Sequence, residues 1–309
     1  MKYKVYKLKF NTAVHIGKGR LEDAESTFMA DTIFSALCCE AAADGKNTVE
    51  KLAVLVRTDR LVISDAMPYH NDKLYIVKPY LSPENTDESN SAAKKQAKKL
   101  KYIEADRIDE YLKGNLDISA ANSELEKMGR KEIRTMASVS EIEDTKPYSV
   151  GAYRFNEGWG LYIIIGYETE EVLDFTDKLI RSLSYSGVGG KRSAGLGRFE
   201  LECEEVPENL KKGLSGDKDY TNYILLSSAM AAEDKLSEVL DGARYMLEKR
   251  SGFVYSETYA DTNCKKNDIF LFKAGSVFKN TFTGILADVS VAGNHPVYRY
   301  AKPVFVGVK

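Results

Sequence analysis

Four cysteines occur in 309 residues, and none belongs to a CxxC or a Cys/His cluster: Cys38 and Cys39 are adjacent, while Cys203 and Cys264 stand alone. That spacing excludes a zinc site and a disulfide framework, leaves no metal or other cofactor to expect, and predicts reduced, mostly buried thiols. No apolar run reaches the roughly 18 residues of a membrane span. The opening MKYKVYKLKF alternates charge with hydrophobe where a signal peptide would be continuously apolar, so a cytoplasmic protein with no membrane partner is expected. A basic excess is missing too. Lys and Arg number 44 against 46 Asp and Glu, a formal net charge of −2. Proteins that bind nucleic acid alone usually carry a strong positive excess, so any such role here must rest on local patches and on surface shared with partner subunits. What is present is ordinary: 43% hydrophobic and 29% charged residues, the balance of a soluble globular protein, in a length that suits about two domains.

Residues 3 to 10 alternate as a strand, and in the stretch ADTIFSALCCEAA Asp31 reads as the N-cap of a helix with Ile33, Phe34, Leu37, Cys38 and Ala41 on its face. The segments YSVGAYRF (148 to 155) and WGLYIIIGY (159 to 167), joined by the short turn NEG, read as a hairpin. A second helix follows, with Val172, Phe175, Leu179 and Leu183 along one side. FELECEEV then alternates Phe199, Leu201 and Cys203 inward with glutamates outward. This order, β-α-β-β-α-β, predicts an α+β fold with a ferredoxin-like (RRM-like) domain over 1–206, carrying an insertion at about 60–147. Within the insertion, Lys94, Lys98 and Lys101 form one face of a helix that suits solvent or a partner subunit. Polar residues 207–221 read as a linker. Residues 222–309 read as a second, β-rich domain, a degenerate copy of the first.

One stretch has no parallel elsewhere in the chain: GVGGKRSAGLGRF, residues 187 to 199. It is not a P-loop, because Tyr185 stands where the leading glycine belongs and Arg192 where Ser or Thr should follow Gly190-Lys191. GxGxxG fails as well, since Arg192 and Glu200 occupy the third glycine positions. Direction is a further objection, because both motifs place phosphate at a helix N-terminus whereas this loop leaves a helix C-terminus. Gly187, Gly189, Gly190, Gly195 and Gly197 would supply bare backbone, and Lys191, Arg192 and Arg198, with Ser193 between, would supply donors for a bent polyanion such as RNA. The competing explanation is a tight connector whose glycines solve a packing problem; the repetition of Gly-hydrophobe-Gly favours RNA.

The pair Gly187-Val188-Gly189 and Gly195-Leu196-Gly197 resembles the signature loop of the RAMP superfamily of CRISPR RNA-binding proteins. FMADTIFSAL (28 to 37), SLSYSGVGGKRSAGLGRFEL (182 to 201), EKRSGFVYSET (248 to 258), FKAGSVFKNTFTG (272 to 284) and YAKPVFV (300 to 306) resemble, more narrowly, the fourth-subunit family of type III-A (Csm) effector complexes. The resemblance spans nearly the whole chain and is weakest over the charged insertion. It implies two RAMP domains and a non-catalytic, antiviral-defence subunit that grips the 5′ handle of the CRISPR RNA. It also implies two protein partners, the large polymerase-like signalling subunit and the backbone RAMP subunit.

His15 lies in HIGKGR, where Gly17 and Lys18 add flexible backbone and charge. A histidine in such a place is able to act as general base in metal-independent RNA cleavage, as in related RAMP endoribonucleases, which is the alternative function. RNA contact or local structure is the favoured reading. His70 and His295 sit beside Pro68 and Pro296 in loop-like sequence. In the second half, Lys249, Arg250, Ser251, Gly252 and Phe253, with Tyr255, mix phosphate contacts with a stacking ring, and Lys279 and Phe282 do so in KAGSVFKNTF.

Overall fold

The computed structural model describes residues 1–83, 91–138, 146–215, 220–256 and 258–309. The parts of the expected insertion and linker at 84–90, 139–145 and 216–219 lie outside the described residues. Lys18 is described only as backbone.

The chain opens with β1 (Lys2–Phe10), the small hairpin β2 (Gly17–Lys18) and β3 (Arg20–Ala24), then α1 (Ala30–Asp44) and α2 (Lys46–Arg57). Next come β4 (Leu61–Ile63), β5 (Met67–His70), β6 (Lys73–Val77), α3 (Ser91–Lys99), β7 (Tyr102–Glu104), α4 (Ile108–Leu112) and α5 (Ile118–Glu126). The strands β8 (Gly129–Ser138), β9 (Lys146–Phe155) and β10 (Trp159–Tyr167) precede α6 (Glu170–Ser186), β11 (Phe199–Glu205) and α7 (Glu208–Leu214). The remainder holds β12 (Asn222–Leu225), α8 (Leu236–Leu240), β13 (Leu247–Arg250), β14 (Ile269–Phe272), β15 (Val277–Phe278), β16 (Ile285–Asp288), β17 (Tyr298–Ala301) and β18 (Phe305–Val308).

The main sheet runs β11-β1-β10-β5-β6-β7, with β4 also paired to β10. The β-α-β-β-α-β path is therefore β1, α1, β4 with β5, β10, α6, β11. Two expectations change. Residues 148–155 do not form a hairpin with β10: β9 pairs with β8 over the whole register from Gly129↔Phe155 to Ser138↔Lys146. The edge of β10 facing away from β1 is taken instead by β4 (Ile165↔Ile63) and β5 (Leu161↔Pro68). The span 61–77, assigned to the insertion, thus supplies central strands. The reason is burial: every residue of β10 is buried, so only strands apolar enough for a core can flank it, whereas β9 carries Arg154 and leaves the sheet. His70, read as a loop residue, ends β5 and stacks on Trp159 with ring centroids 4.4 Å apart.

Both faces of the sheet are covered. On one, Tyr6, Leu8, Leu161 and Ile163 meet Phe34 and Leu37 of α1, Leu52 of α2 and Leu179 and Leu183 of α6. On the other, Val5, Tyr162 and Ile164 meet Leu210 and Leu214 of α7 and Ile224, Val306 and Val308 of the sheet β15-β12-β18. The expected linker therefore contains a packed helix, because Leu210 and Leu214 bury between the two sheets. The second half also holds two ribbons, β13-β14 and β16-β17, and the short helix α8. Cys203, expected inward, is exposed on the edge strand β11, while Cys38, Cys39 and Cys264 are half-buried.

Polar contacts join the halves. The buried Tyr300 hydroxyl accepts from Ile63 N (2.6 Å), and Lys302 Nζ donates to Asp59 (2.6 Å). Asp31 does not cap α1: the carboxylate that accepts from Ala30 N (2.8 Å) is Asp65, which also accepts from Ser228 N and Oγ (2.9 and 3.1 Å). Burial pushes the Asp65 carboxyl up to about 7, opposed by its bonds to Ala30 and Ser228. Because this value lies above that of the unfolded chain, the group's contribution is fully present below about pH 4 and is lost as pH rises through about 7. Asp65→Asn keeps the acceptor for both N–H groups and, with the Ser228 hydroxyl reversed, the third bond. We expect wild type to lose stability between about pH 4 and 7, by up to ~4 kcal/mol relative to the variant, as read by urea unfolding at each pH. A wild-type and variant pair that track each other across that range refutes the assignment.

Candidate nucleic-acid interface

Helix α6 ends at Ser186, and Gly187 follows with φ of 84°, its N–H closing on Leu183 O (2.7 Å). The loop then doubles back on itself. Val188 N donates to Gly197 O (3.0 Å), Gly190 N to His15 O (2.9 Å) and Gly197 N to Ala13 O (3.0 Å), while Val188 and Leu196 are buried. The glycines answer to this folding. A Cβ on Gly189 would stand 2.5 Å from His15 O, one on Gly190 2.6 Å from His15 Cδ2, and one on Gly197 would strike Val188 O. For Gly189 and Gly197 the close approach that removes the side chain is to the protein's own backbone, and for Gly190 it is to the His15 ring. Gly195 differs, with φ of 82° and open space around it. The bared segment between the two units is Lys191, itself left-handed at φ 59°, and the 3-10 turn Arg192–Ala194.

This loop forms one wall of a cleft of about 930 Å³. The opposite wall comes from the second half, and the floor from α1. Of the residues predicted from sequence, His15, Gly17, Gly187, Gly189, Gly190, Lys191, Arg192, Ser193, Arg198, Arg250, Ser251, Gly252 and Phe253 all line it. Segments some sixty residues apart in sequence thus face one another. Gly195 and Gly197 do not line the cleft. Lys249 pairs with Asp268 (2.8 Å), Lys279 Nζ donates to Asn222 Oδ1 (3.0 Å), and Phe282 packs into the aromatic cluster of Phe272, Phe278 and Phe305. Sequence reasoning missed Asp31, Lys266 and Arg299, which also line the cleft. No local pattern marks them, because each is defined by contacts between the halves.

Asp31 organises the floor. Arg250 donates to it through Nε and Nη2 (both 2.9 Å) and Arg299 through Nη1 (2.5 Å), while Arg299 Nη2 reaches Ser251 O (3.2 Å). Burial pushes the Asp31 carboxyl up, but the two guanidiniums outweigh it and hold the group below the usual carboxylate range. Burial and the neighbouring Arg299 push the Lys266 ammonium down. Cys38 on α1 is driven up to about 12, mainly by burial, so its thiol stays protonated and unreactive.

The walls are tethered. Glu40 on α1 accepts from Ser182 and Ser186 of α6 (both 2.5 Å) and lies 4.0 Å from Arg192. Lys191 sits over the Tyr148 ring of β9, 4.6 Å from its centre, and donates to its hydroxyl (3.1 Å). Arg192 lies 5.5 Å from the ring of Tyr255. His15 is buried, and its Nδ1 donates to Gly151 O (2.5 Å), which fixes Nε2 as the unprotonated nitrogen of the neutral ring. At the mouth, Phe253 and Tyr255 are 65% and 75% exposed, flat apolar surfaces beside cations. Among the described residues six cationic side chains line the cleft, Lys191, Arg192, Arg198, Arg250, Lys266 and Arg299, against the single carboxylate of Asp31. Among the described residues no group of three His, Cys, Asp or Glu is placed to hold a metal ion, and no helix is long and apolar enough to cross a membrane.

The family model of the RAMP superfamily matches residues 7–200, and that of the CRISPR Csm4 C-terminal domain matches residues 218–308. A Mycobacterium tuberculosis protein named CRISPR system Cms protein Csm4 is 35% identical over 100% of this chain and 98% of its own length. A Streptococcus thermophilus protein of the same name is 32% identical over 99% and 98%. Among solved structures, a chain of the Csm3-Csm4 subcomplex of the type III-A CRISPR-Cas interference complex superposes with a TM-score of 0.67 at 19% identity, covering 100% of both chains. A chain of the Csm1-Csm4 cassette with pppApA does so with 0.62 at 19% identity, covering 100% of this chain and 98% of that one.

The two glycines of the second unit make separable predictions. Gly197→Ala must escape both a positive φ and Val188 O, and should cost ~3 kcal/mol or more. Gly195→Ala, strained only in φ, should cost ~1 kcal/mol. Chemical denaturation of the two variants checks the difference, and equal losses contradict the packing described.

Proposed function

The chain belongs to the RAMP superfamily and, within it, to the Csm4 proteins, and from that premise we propose that it is a non-catalytic subunit that holds the 5′ handle of a CRISPR RNA in a type III-A antiviral effector complex of the cytoplasm. The observation that carries the proposal is the cleft. A protein of net charge −2 concentrates six cations and two exposed aromatic rings on one concave surface built by both halves. Phosphate contacts supply most of the affinity for single-stranded RNA, and each base stacked on a ring such as Phe253 or Tyr255 adds ~1–3 kcal/mol. The hydroxyls of Thr32, Ser35 and Ser193 and the acceptor Nε2 of His15 suit ribose 2′-hydroxyls, which distinguish RNA from DNA. Lys249, Lys279 and Phe282, engaged elsewhere, take no part in this reading.

The Csm3-Csm4 and Csm1-Csm4 assemblies support a backbone RAMP subunit and a large signalling subunit as the protein partners, which this chain bridges. Joint binding surfaces account for the missing basic excess. His15 is a positioning and contact residue. No second histidine lines the cleft among the described residues, and Asp31 is held by two arginines, which favours contact over strand cleavage.

Two measurements test this. Lys191→Ala with Arg192→Ala should weaken binding of handle RNA and lower the slope of log affinity against log salt by about 1.4, two phosphate contacts at ~0.7 each. An unchanged affinity and slope in a folded variant defeats the proposal. Incubation of the purified protein with repeat RNA should yield no discrete cut, and a cut abolished by His15→Ala would establish the endoribonuclease alternative.

A further inference from the structure

Lys266 stands out on the cleft floor. Its side chain is half-buried, lines the cleft beside Arg299, and has no hydrogen-bond or ion-pair partner among the described residues. Arg299 is 7% exposed, and its Nε is buried with no acceptor. Arg250 engages Asp31 through Nε and Nη2, leaving Nη1 unclaimed among the described residues. Three cations therefore share one carboxylate at the surface of the floor. Glu248 and Asp65, the nearest other acids, do not line the cleft, and Asp65 is bonded to Ala30 and Ser228. Cations withdrawn from water are costly unless an anion meets them. Asp31 is the one carboxylate among the described lining residues, so an anion entering from the cleft meets cations that the lining itself does not neutralise.

Resting on the RNA reading above, we infer that the floor is a seat for one phosphodiester of the bound strand, contacted by Lys266, Arg250 and Arg299 and framed by Asp31. A phosphate suits the site better than a carboxylate. It offers several acceptor oxygens to three cationic side chains of the second-half wall, and Arg forks match its geometry. Phe253 and Tyr255 at the mouth then receive the bases on either side. Asp31 is a positioning residue that fixes both guanidiniums before the strand arrives, so the seat is preorganised and costs little ordering on binding. Arg192 and Arg198 belong to the facing wall, where the strand passes, and the seat is the place where three cations gather around one buried carboxylate.

The test uses the full chain and a set of handle RNAs, each carrying one neutral methylphosphonate linkage at a different position. One position should lose at least tenfold in affinity while the others lose little. Lys266→Gln should lose a similar factor on unmodified RNA and then be indifferent to that same position. Because Lys266 makes no internal pair, the variant should unfold at the wild-type midpoint, and Arg299→Lys provides a second variant with charge kept and the fork removed. Uniform small losses at every linkage, or a Lys266→Gln protein with wild-type affinity, overturn the seat. If affinity still falls on changing Lys191 and Arg192, the RNA reading stands without it. Failure of wild type to bind any RNA removes both readings, and capture of an acidic peptide in place of RNA overturns the seat in favour of a protein ligand.

Discussion

One buried carboxylate, Asp31, holds the first turn of α1 against two arginines from the second half, and the cleft exists because of that three-way contact. Its side chain has no solvent exposure, so leaving either arginine without it would strand a charge in low dielectric, a loss of ~3–5 kcal/mol. The same contact fixes geometry. It sets the distance between the α1 floor and the β13 wall, while Glu40, one helical stretch further on, sets the distance to the glycine loop. A single helix thus gauges both sides of the cleft.

How much of this was legible in the sequence differs by kind of contact. Strands β1, β10 and β11, helices α1 and α6, and the loop between α6 and β11 follow from local periodicity and turn chemistry, and are found where those signals place them. Pairing was less legible. The turn after β9 looks like a hairpin turn, but partner choice is a competition among all strands, and β10 is apolar on both faces and claims the centre. The cleft residues divide in the same way. Lys191, Arg192 and Arg250 to Phe253 announce themselves by clustering along the chain. Lys266 and Arg299 look like ordinary surface cations in β-rich segments, and Asp31 like an ordinary helix cap, until folding brings them together.

The glycine loop shows why composition alone misdirects. Gly189, Gly190 and Gly197 are needed because the loop packs against Val14, His15 and Val188, so their absence of side chain serves the protein's own interior. The motif's relation to charge is indirect: two glycine units fold inward as a clasp and thereby thrust Lys191, Arg192 and Ser193 outward. Rigid loops of this kind present donors with little entropy left to lose.

Arg299 meets Asp31 across 268 residues of sequence, and Arg250 meets it across 219. On the ribosome, the first two-thirds of the chain therefore emerge with the floor of the cleft built from α1 but with its far wall unmade. The uncovered sheet face carrying Val5, Tyr162 and Ile164 waits for the same late segment. A chain in that state leaves Asp31 without either of its arginines. The cleft is thereby completed only when translation has delivered the last strands.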